Sequence, residues 1–179
     1  MVPKILLPSR KTLLDFSESL PSPRIIQDGL GRTKYLSRWY LFDKDRPTMV
    51  DGSDPFDGFG NPKVGVMWKD NAWGTYLHRF HRSDVDRELH SHPWDWAVSL
   101  ILVGGYIEER RIGSLVVKRL VAPGDVNFLT KDDFHRVDLI EEDAWSLFIV
   151  GRKSTTWGFW DRTTDKVTPW REFLAAKQT

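Results

Sequence analysis

The stretch LHSHPWDW (residues 89–96) sets His90 and His92 one residue apart, breaks the pattern at Pro93 and flanks Asp95 with Trp94 and Trp96. Alternate side chains of an extended chain share a face. On a strand the two imidazoles therefore project together, at a spacing that suits two ligands of one ion. Two polar residues at a strand end satisfy the same pattern, so the surrounding chain has to decide.

Outward from this stretch, residues 64–160 are short β-type runs separated by turns. They read VGVMW, GTYLHRF, WAVSLILVGGYIEER, SLVVKRLV, DVNFL, HRVDLI and WSLFIVG, followed by TTWGFW. RRIG (110–113) and EED (141–143) read as hairpin turns. Many short strands with no helical period between them predict an all-β antiparallel sandwich or barrel. Before it, Ser9 is placed to cap a short helix in KTLLDFSESL that Pro21 ends, and KYLSRWYLF (34–42) reads as a strand. The turn-forming stretch 43–63 carries acids at 51, 54 and 57, a spacing that does not match a calcium-binding loop. After the strands, TPWREFLAAKQ predicts a terminal helix beginning at Thr168 with Pro169 in its first turn. One domain is expected over 1–179: an N-terminal extension with a long loop (1–63), a barrel (64–160) and a C-terminal helical segment (161–179).

The bulk properties narrow the function. A net charge of +1, with both signs mixed along the chain, gives no basic patch for nucleic acid or an anionic membrane. The most basic stretch, Arg24 to Arg38, reads as a solvated face. No apolar run is long enough for a membrane helix, and prolines interrupt the only apolar run near the N-terminus, which argues against a signal peptide. The chain has no cysteine. That removes disulfides, thiolate ligands and a cysteine nucleophile together, fits a cytoplasmic protein, and leaves His, Asp and Glu to hold any metal. Nine tryptophans fit a large core or an aromatic-lined cavity.

A third histidine bears on the opening question. VAPGDVNFLTKDDFHRV (121–137) holds a Pro-Gly-Asp turn, a strand-like VNFL, a polar turn and then His135 entering another strand. An H-x-H, the Gly-rich LILVGGYIEE (100–109), a Pro-Gly-Asp turn and a later histidine, in that order, resemble the cupin superfamily over roughly residues 64–152. The resemblance implies a cupin-type double-stranded β-helix, a jelly-roll barrel, with short terminal helical segments. It makes His90, His92 and His135 the metal ligands. Many metal cupins add a glutamate four or five residues after the second histidine; here those positions are Trp96 and Ala97, which leaves Asp95 and Glu88 as the acids to test. LHSHPW also resembles the H-x-H-P segment of three-histidine thiol dioxygenases, which implies iron(II) and oxygen, with zinc, nickel or manganese as the other candidate metals. The wider pattern is similar to small cupin-type proteins of phage and bacterial genomes. Cupins often pair through strands, so a homodimer is expected.

Further residues are candidates for the chemistry itself. His78 shares a strand face with Tyr76 and Phe80, and His81 shares one with Arg79. His78 or His81 could serve as an acid/base group and Arg79 could bind an anionic small-molecule substrate. Arg82 and Arg87 are further candidates, and an ion-pair network with Asp84, Asp86 and Glu88 is the alternative. Three readings follow: a metal-dependent dioxygenase; a sugar or nucleotide-sugar isomerase or epimerase using His78 or His81 with Asp84 or Asp86; and a non-catalytic binding or structural cupin.

Overall fold

The computed structural model describes residues 6–27, 33–42, 44–57, 60–69, 71–86 and 88–177. Helix α1 (Arg10–Glu18) opens the described chain, with the Ser9 side chain accepting from the Thr12 amide at its start. Strands β1 (Arg24–Gln27), β2 (Lys34–Tyr40), β3 (Trp73–Phe80), β4 (Leu89–His90), β5 (Trp96–Val103) and β6 (Tyr106–Ile112) follow. After them come β7 (Leu115–Val121), β8 (Val126–Thr130), β9 (His135–Leu139), β10 (Ala144–Gly151), β11 (Gly158–Asp161) and β12 (Lys166–Pro169), and α2 (Trp170–Ala176) closes the chain.

Two six-stranded antiparallel sheets result, ordered β1-β2-β3-β10-β5-β8 and β12-β11-β4-β9-β6-β7. Between β3 and β10 the chain shuttles from sheet to sheet, with β3, β5, β8 and β10 in the first and β4, β6, β7 and β9 in the second. This is the double-wound order of a jelly roll. β1 and β2 widen the first sheet beyond β3, and β11 and β12 widen the second beyond β4.

Period-two alternation gives the first sheet two buried faces. Its outer face carries Trp39, Leu77 and Trp145, which pack with Leu13 of α1; Trp39 and Trp145 stack with ring centres 5.7 Å apart. Between the sheets, Ile101, Tyr106, Val121 and Val137 fill one end. Toward the other end Ala97, Leu129, Phe148 and Val150 form a thinner lining, with Tyr76 and Trp94 against it. The chain crosses from β5 to β6 through Gly104, whose φ of +74° and close approach to the Asp143 carbonyl leave no room for a Cβ.

Several local expectations shift. VGVMW forms no strand: residues 64 and 65 are a turn, Val64 is 99% exposed and Met67 makes only an isolated bridge to Thr48. The run pairs with no strand, and its Trp68 packs instead under the Arg24 guanidinium, 4.7 Å from the ring centre. The turn expected at 110–113 is tighter, because Arg110 and Arg111 belong to β6 and Ile112 pairs with Leu115. Arg110 is a strand residue because buried Glu108 and Asn127 accept its donors. The terminal helix starts at Trp170, and Thr168 and Pro169 pair with β11 instead.

Candidate metal centre

His90 ends β4, directly opposite His135 on β9 on one side and Phe159 on β11 on the other. The chain leaves the ladder there, yet its alternation continues. Ser91 turns the other way and is pinned to β11, its amide donating to the Gly158 carbonyl (3.0 Å) and its hydroxyl accepting from the Gly158 amide (3.2 Å). His92 consequently returns to the side of His90. The three imidazole centres form a near-equilateral triangle with edges of 4.9, 5.1 and 5.1 Å. One ring nitrogen from each lies within 4.8 Å of the others. The opening question is thus answered at the level of geometry: His90 and His92 meet His135.

The electrostatics favour the neutral form of His90 and His92. Burial pushes His90 down to about 4, with Asp84 opposing and His135 adding to the shift. Burial, with His135 and His90 beside it, holds His92 well below the usual range. His135 is fixed from behind. Its Nδ1 lies 2.8 Å from Oε1 of Glu108, a fully buried carboxylate. Burial alone would raise the Glu108 pKa, but the hydrogen bonds from His135, Asn127 and Arg119 and the nearby positive charge hold it well below the ordinary carboxylate range. An ionised carboxylate can only accept, so Nδ1 of His135 carries a proton toward Glu108 and Nε2 is the nitrogen turned to the other histidines. Asn127 Nδ2 (2.8 Å), Arg119 Nε (2.7 Å) and Arg110 (3.0 Å) supply the other donors to Glu108.

A divalent ion fits this donor set. Nε2 of His92 and Nε2 of His135 are 2.9 Å apart. Two nitrogens at that separation, each about 2.1 Å from one ion, subtend roughly a right angle there. A carboxylate braced against the far nitrogen of a ligating histidine is the usual support for such a site. Neither acid weighed for a fourth position joins the group within 4.8 Å. Asp95 accepts from Ser154 and lies near Lys131, and Glu88 lies 3.9 Å from Lys177.

The histidines face a cavity of about 1380 Å³ between the sheets, with Arg38, Tyr76, Trp94 and Phe148 on its walls and Trp170 and Leu174 of α2 at its border. Asp84 and Asp86 line it, and so does His78, alone among the described histidines and arginines considered for chemistry. Its Nε2 accepts from Arg38 Nε at 2.9 Å, and burial, then the Arg38 charge, holds it well below its usual pKa. Arg79 and His81 lie behind the sheet on the α1 face. Arg79 Nε donates to Asp143 at 2.7 Å, and His81 Nε2 is 2.9 Å from the Ser37 hydroxyl. Period-two alternation separates them from His78, so neither reaches the cavity. Neither histidine takes Asp84 or Asp86 as a hydrogen-bond partner among the described residues: the Asp84 carboxylate accepts from the Val137 amide (2.7 Å), and Asp86 pairs with Lys177. Arg87 lies outside the described residues.

Four side chains of the cavity and its support escaped the sequence reading: Glu108, Asn127, Arg24 and Arg38. Glu108 carried a readable signal, because it shares an inward register with Tyr106. The arginines did not, since charged residues on a short strand look the same whether a loop covers them or not.

No family model matches the sequence, and no curated protein matches it. Among solved structures, the chain is similar to an oxalate oxidase in complex with glycolate, at 13% identity and a TM-score of 0.41 over 49% of this chain and 46% of that one. It is similar to hydroxypropylphosphonic acid epoxidase from S. wedmorenis at 10% identity and a TM-score of 0.44, covering 72% and 55% of the two chains. An uncharacterised Klebsiella pneumoniae protein with a double-stranded β-helix domain gives 14% identity and a TM-score of 0.41 over 66% and 95%. The chain spans about half the length of the oxalate oxidase. No described helix is long and apolar enough to cross a membrane. The alternation of β3 to β10 between two four-stranded layers is that of a double-stranded β-helix, and His90, His92 and His135 converge between them.

Proposed function

We propose that the protein is a metal-dependent enzyme acting on a small molecule, with His90, His92 and His135 as ligands, and that it is a non-haem iron(II) dioxygenase. One observation carries this reading: three imidazoles converge within 4.8 Å at the wall of a large cavity, with no carboxylate among them. A three-nitrogen set on one side of an ion leaves positions open toward the cavity, and imidazole suits iron, zinc, copper and nickel. Iron(II) held there would supply dioxygen activation and a Lewis-acid site for an anionic substrate group. The chain's own contribution is positional. Glu108 keeps the His135 proton on Nδ1 and its Nε2 aimed at the site. Ser91, bonded twice to Gly158, sets the turn between His90 and His92. Trp94, stacked on His92 with centres 5.6 Å apart, and Phe148 exclude water from one flank.

Mass-spectrometric metal analysis of the purified protein and of its His90→Ala and His135→Ala variants tests the reading. We expect iron, or another divalent metal, near one per chain in the wild type, and its loss in both folded variants. An oxygen-consumption screen across thiols and enolic acids then tests the reaction class. A folded wild type that takes up no metal after reconstitution overturns the reading. Stoichiometric metal with no oxygen uptake supports a binding role instead.

A further inference from the structure

The cavity wall opposite the α1 face carries two arginines with no counter-charge. Arg24 on β1 and Arg38 on β2 are direct cross-strand partners, so their side chains share a face, and both line the cavity. Elsewhere among the described residues, Arg10 and Arg79 are paired with Asp143, Arg46 with Asp54, and Arg110 and Arg119 with Glu108, each within 3.0 Å. Among the described residues no carboxylate lies within 4.0 Å of Arg24 or Arg38. Arg24 Nε is buried with no hydrogen-bond partner. A buried donor left unsatisfied beside a second like charge is costly unless a ligand completes it.

Arg38 is also held in one pose. Its Nε donates to neutral His78 at 2.9 Å, and its guanidinium lies 4.9 Å from the ring centre of Tyr76 and 5.5 Å from that of Trp94. Nε is thereby spent, and the two terminal nitrogens have no protein acceptor among the described residues. Two parallel N–H groups on a fixed plane match the two oxygens of a carboxylate. Trp94 stacks on Arg38 and on His92 alike, so one indole spans the distance from the arginine to the histidines.

We propose that Arg38, with Arg24 beside it, seats the carboxylate of the substrate, and that the substrate is a small organic acid whose flat body lies along Trp94 and Tyr76 toward the histidine triad. This rests on the reading of that triad as the reactive centre. His78 is a positioning residue for Arg38 in this arrangement, because its one lone pair is already taken.

Titration of the metal-loaded protein with benzoate, benzamide and inorganic phosphate, followed by tryptophan fluorescence and calorimetry, tests the proposal. Benzoate is expected to bind, benzamide at least tenfold more weakly, and phosphate more weakly than benzoate. Arg38→Gln should weaken benzoate at least tenfold while leaving metal content unchanged. Arg38→Lys, which keeps the charge and loses the fork, should recover only part of the affinity, and Arg24→Gln should weaken benzoate severalfold. No benzoate binding, equal binding of benzoate and benzamide, or indifference to both Arg24→Gln and Arg38→Gln overturns the site. Phosphate binding more tightly than benzoate overturns the carboxylate assignment. The metal reading fails separately: if His135→Ala and a metal-free wild type both bind benzoate as before, the anion seat stands whatever the triad holds.

Discussion

Nδ1 of His135 on β9 and Oε1 of Glu108 on β6 are 2.8 Å apart, across the adjacent strand pair that also sets Arg110 opposite His135. The fully buried carboxylate thus fixes the tautomer of a candidate metal ligand while two arginines and Asn127 hold the carboxylate. Orientation of the site and packing of the second sheet depend on the same group.

Replacement of Glu108 should therefore be felt twice. Glu108→Gln keeps the shape and loses the charge, and metal affinity is expected to fall 10- to 100-fold, the usual effect of losing such a brace. Competition titration against a chelator measures it. Glu108→Ala also strands Arg110 and Arg119 and should cost about 3–5 kcal/mol of stability, read from denaturant unfolding. Unchanged metal affinity in a folded Glu108→Gln variant would remove Glu108 from the site.

Arg79 offers the opposite test. It reads in the sequence as a substrate-binding group, yet its partner is Asp143, which is 2% exposed and also takes Arg10 Nε at 2.8 Å and the Trp145 ring N–H at 3.1 Å. Arg79→Ala should cost roughly 2–3 kcal/mol, less than for a fully buried pair because the arginine is partly solvated. Metal content and benzoate binding should stay at wild-type levels. Loss of either without loss of stability would return Arg79 to the site.

Gly104 should tolerate no side chain. Its φ is +74°, and a Cβ would meet the Asp143 carbonyl, so strain and collision add. Gly104→Ala is expected to lower stability by about 2 kcal/mol or more, with the midpoint shifted and the slope of the unfolding curve unchanged. The Asp143 residue that Gly104 abuts is also the one whose carboxylate pairs with Arg79, so the two substitutions should not be additive.

The sequence exposed what is local. Runs such as WSLFIVG and HRVDLI alternate in period two and became β10 and β9; Ser9 signalled the start of α1. The histidines were legible because His90 and His92 obey that period and because the Pro-Gly-Asp turn precedes His135. Burial created by distant chain was hidden. Nothing near Arg38 shows that β1, β3 and Trp94 enclose it, so Arg24 to Arg38 looked like a solvated face. Nor does residue 108 show that β7, β8 and β9 bring Arg119, Asn127 and His135 to it. VGVMW failed for the converse reason, being apolar enough for a strand but without an edge to pair with.

His81 supplies a pH signature independent of the metal. It lies behind the sheet near Lys34 and Arg79, and burial, with those two charges, pushes it down to about 4. In the unfolded chain it titrates at about 6.5. Below that value the unfolded state binds a proton that the folded state refuses, so stability rises with pH across the window. The contribution is complete above pH 6.5 and is lost as pH falls toward 4. After allowance for solvent screening it amounts to on the order of 2 kcal/mol. Denaturant unfolding of metal-free protein between pH 7.5 and 4.5 should show this loss. His81→Gln, which can still bond to the Ser37 hydroxyl, should make it shallower, leaving the share of His78, His90 and His92. An identical pH dependence in wild type and variant would show that His81 titrates alike in the folded and the unfolded chain and that its burial does not set its state.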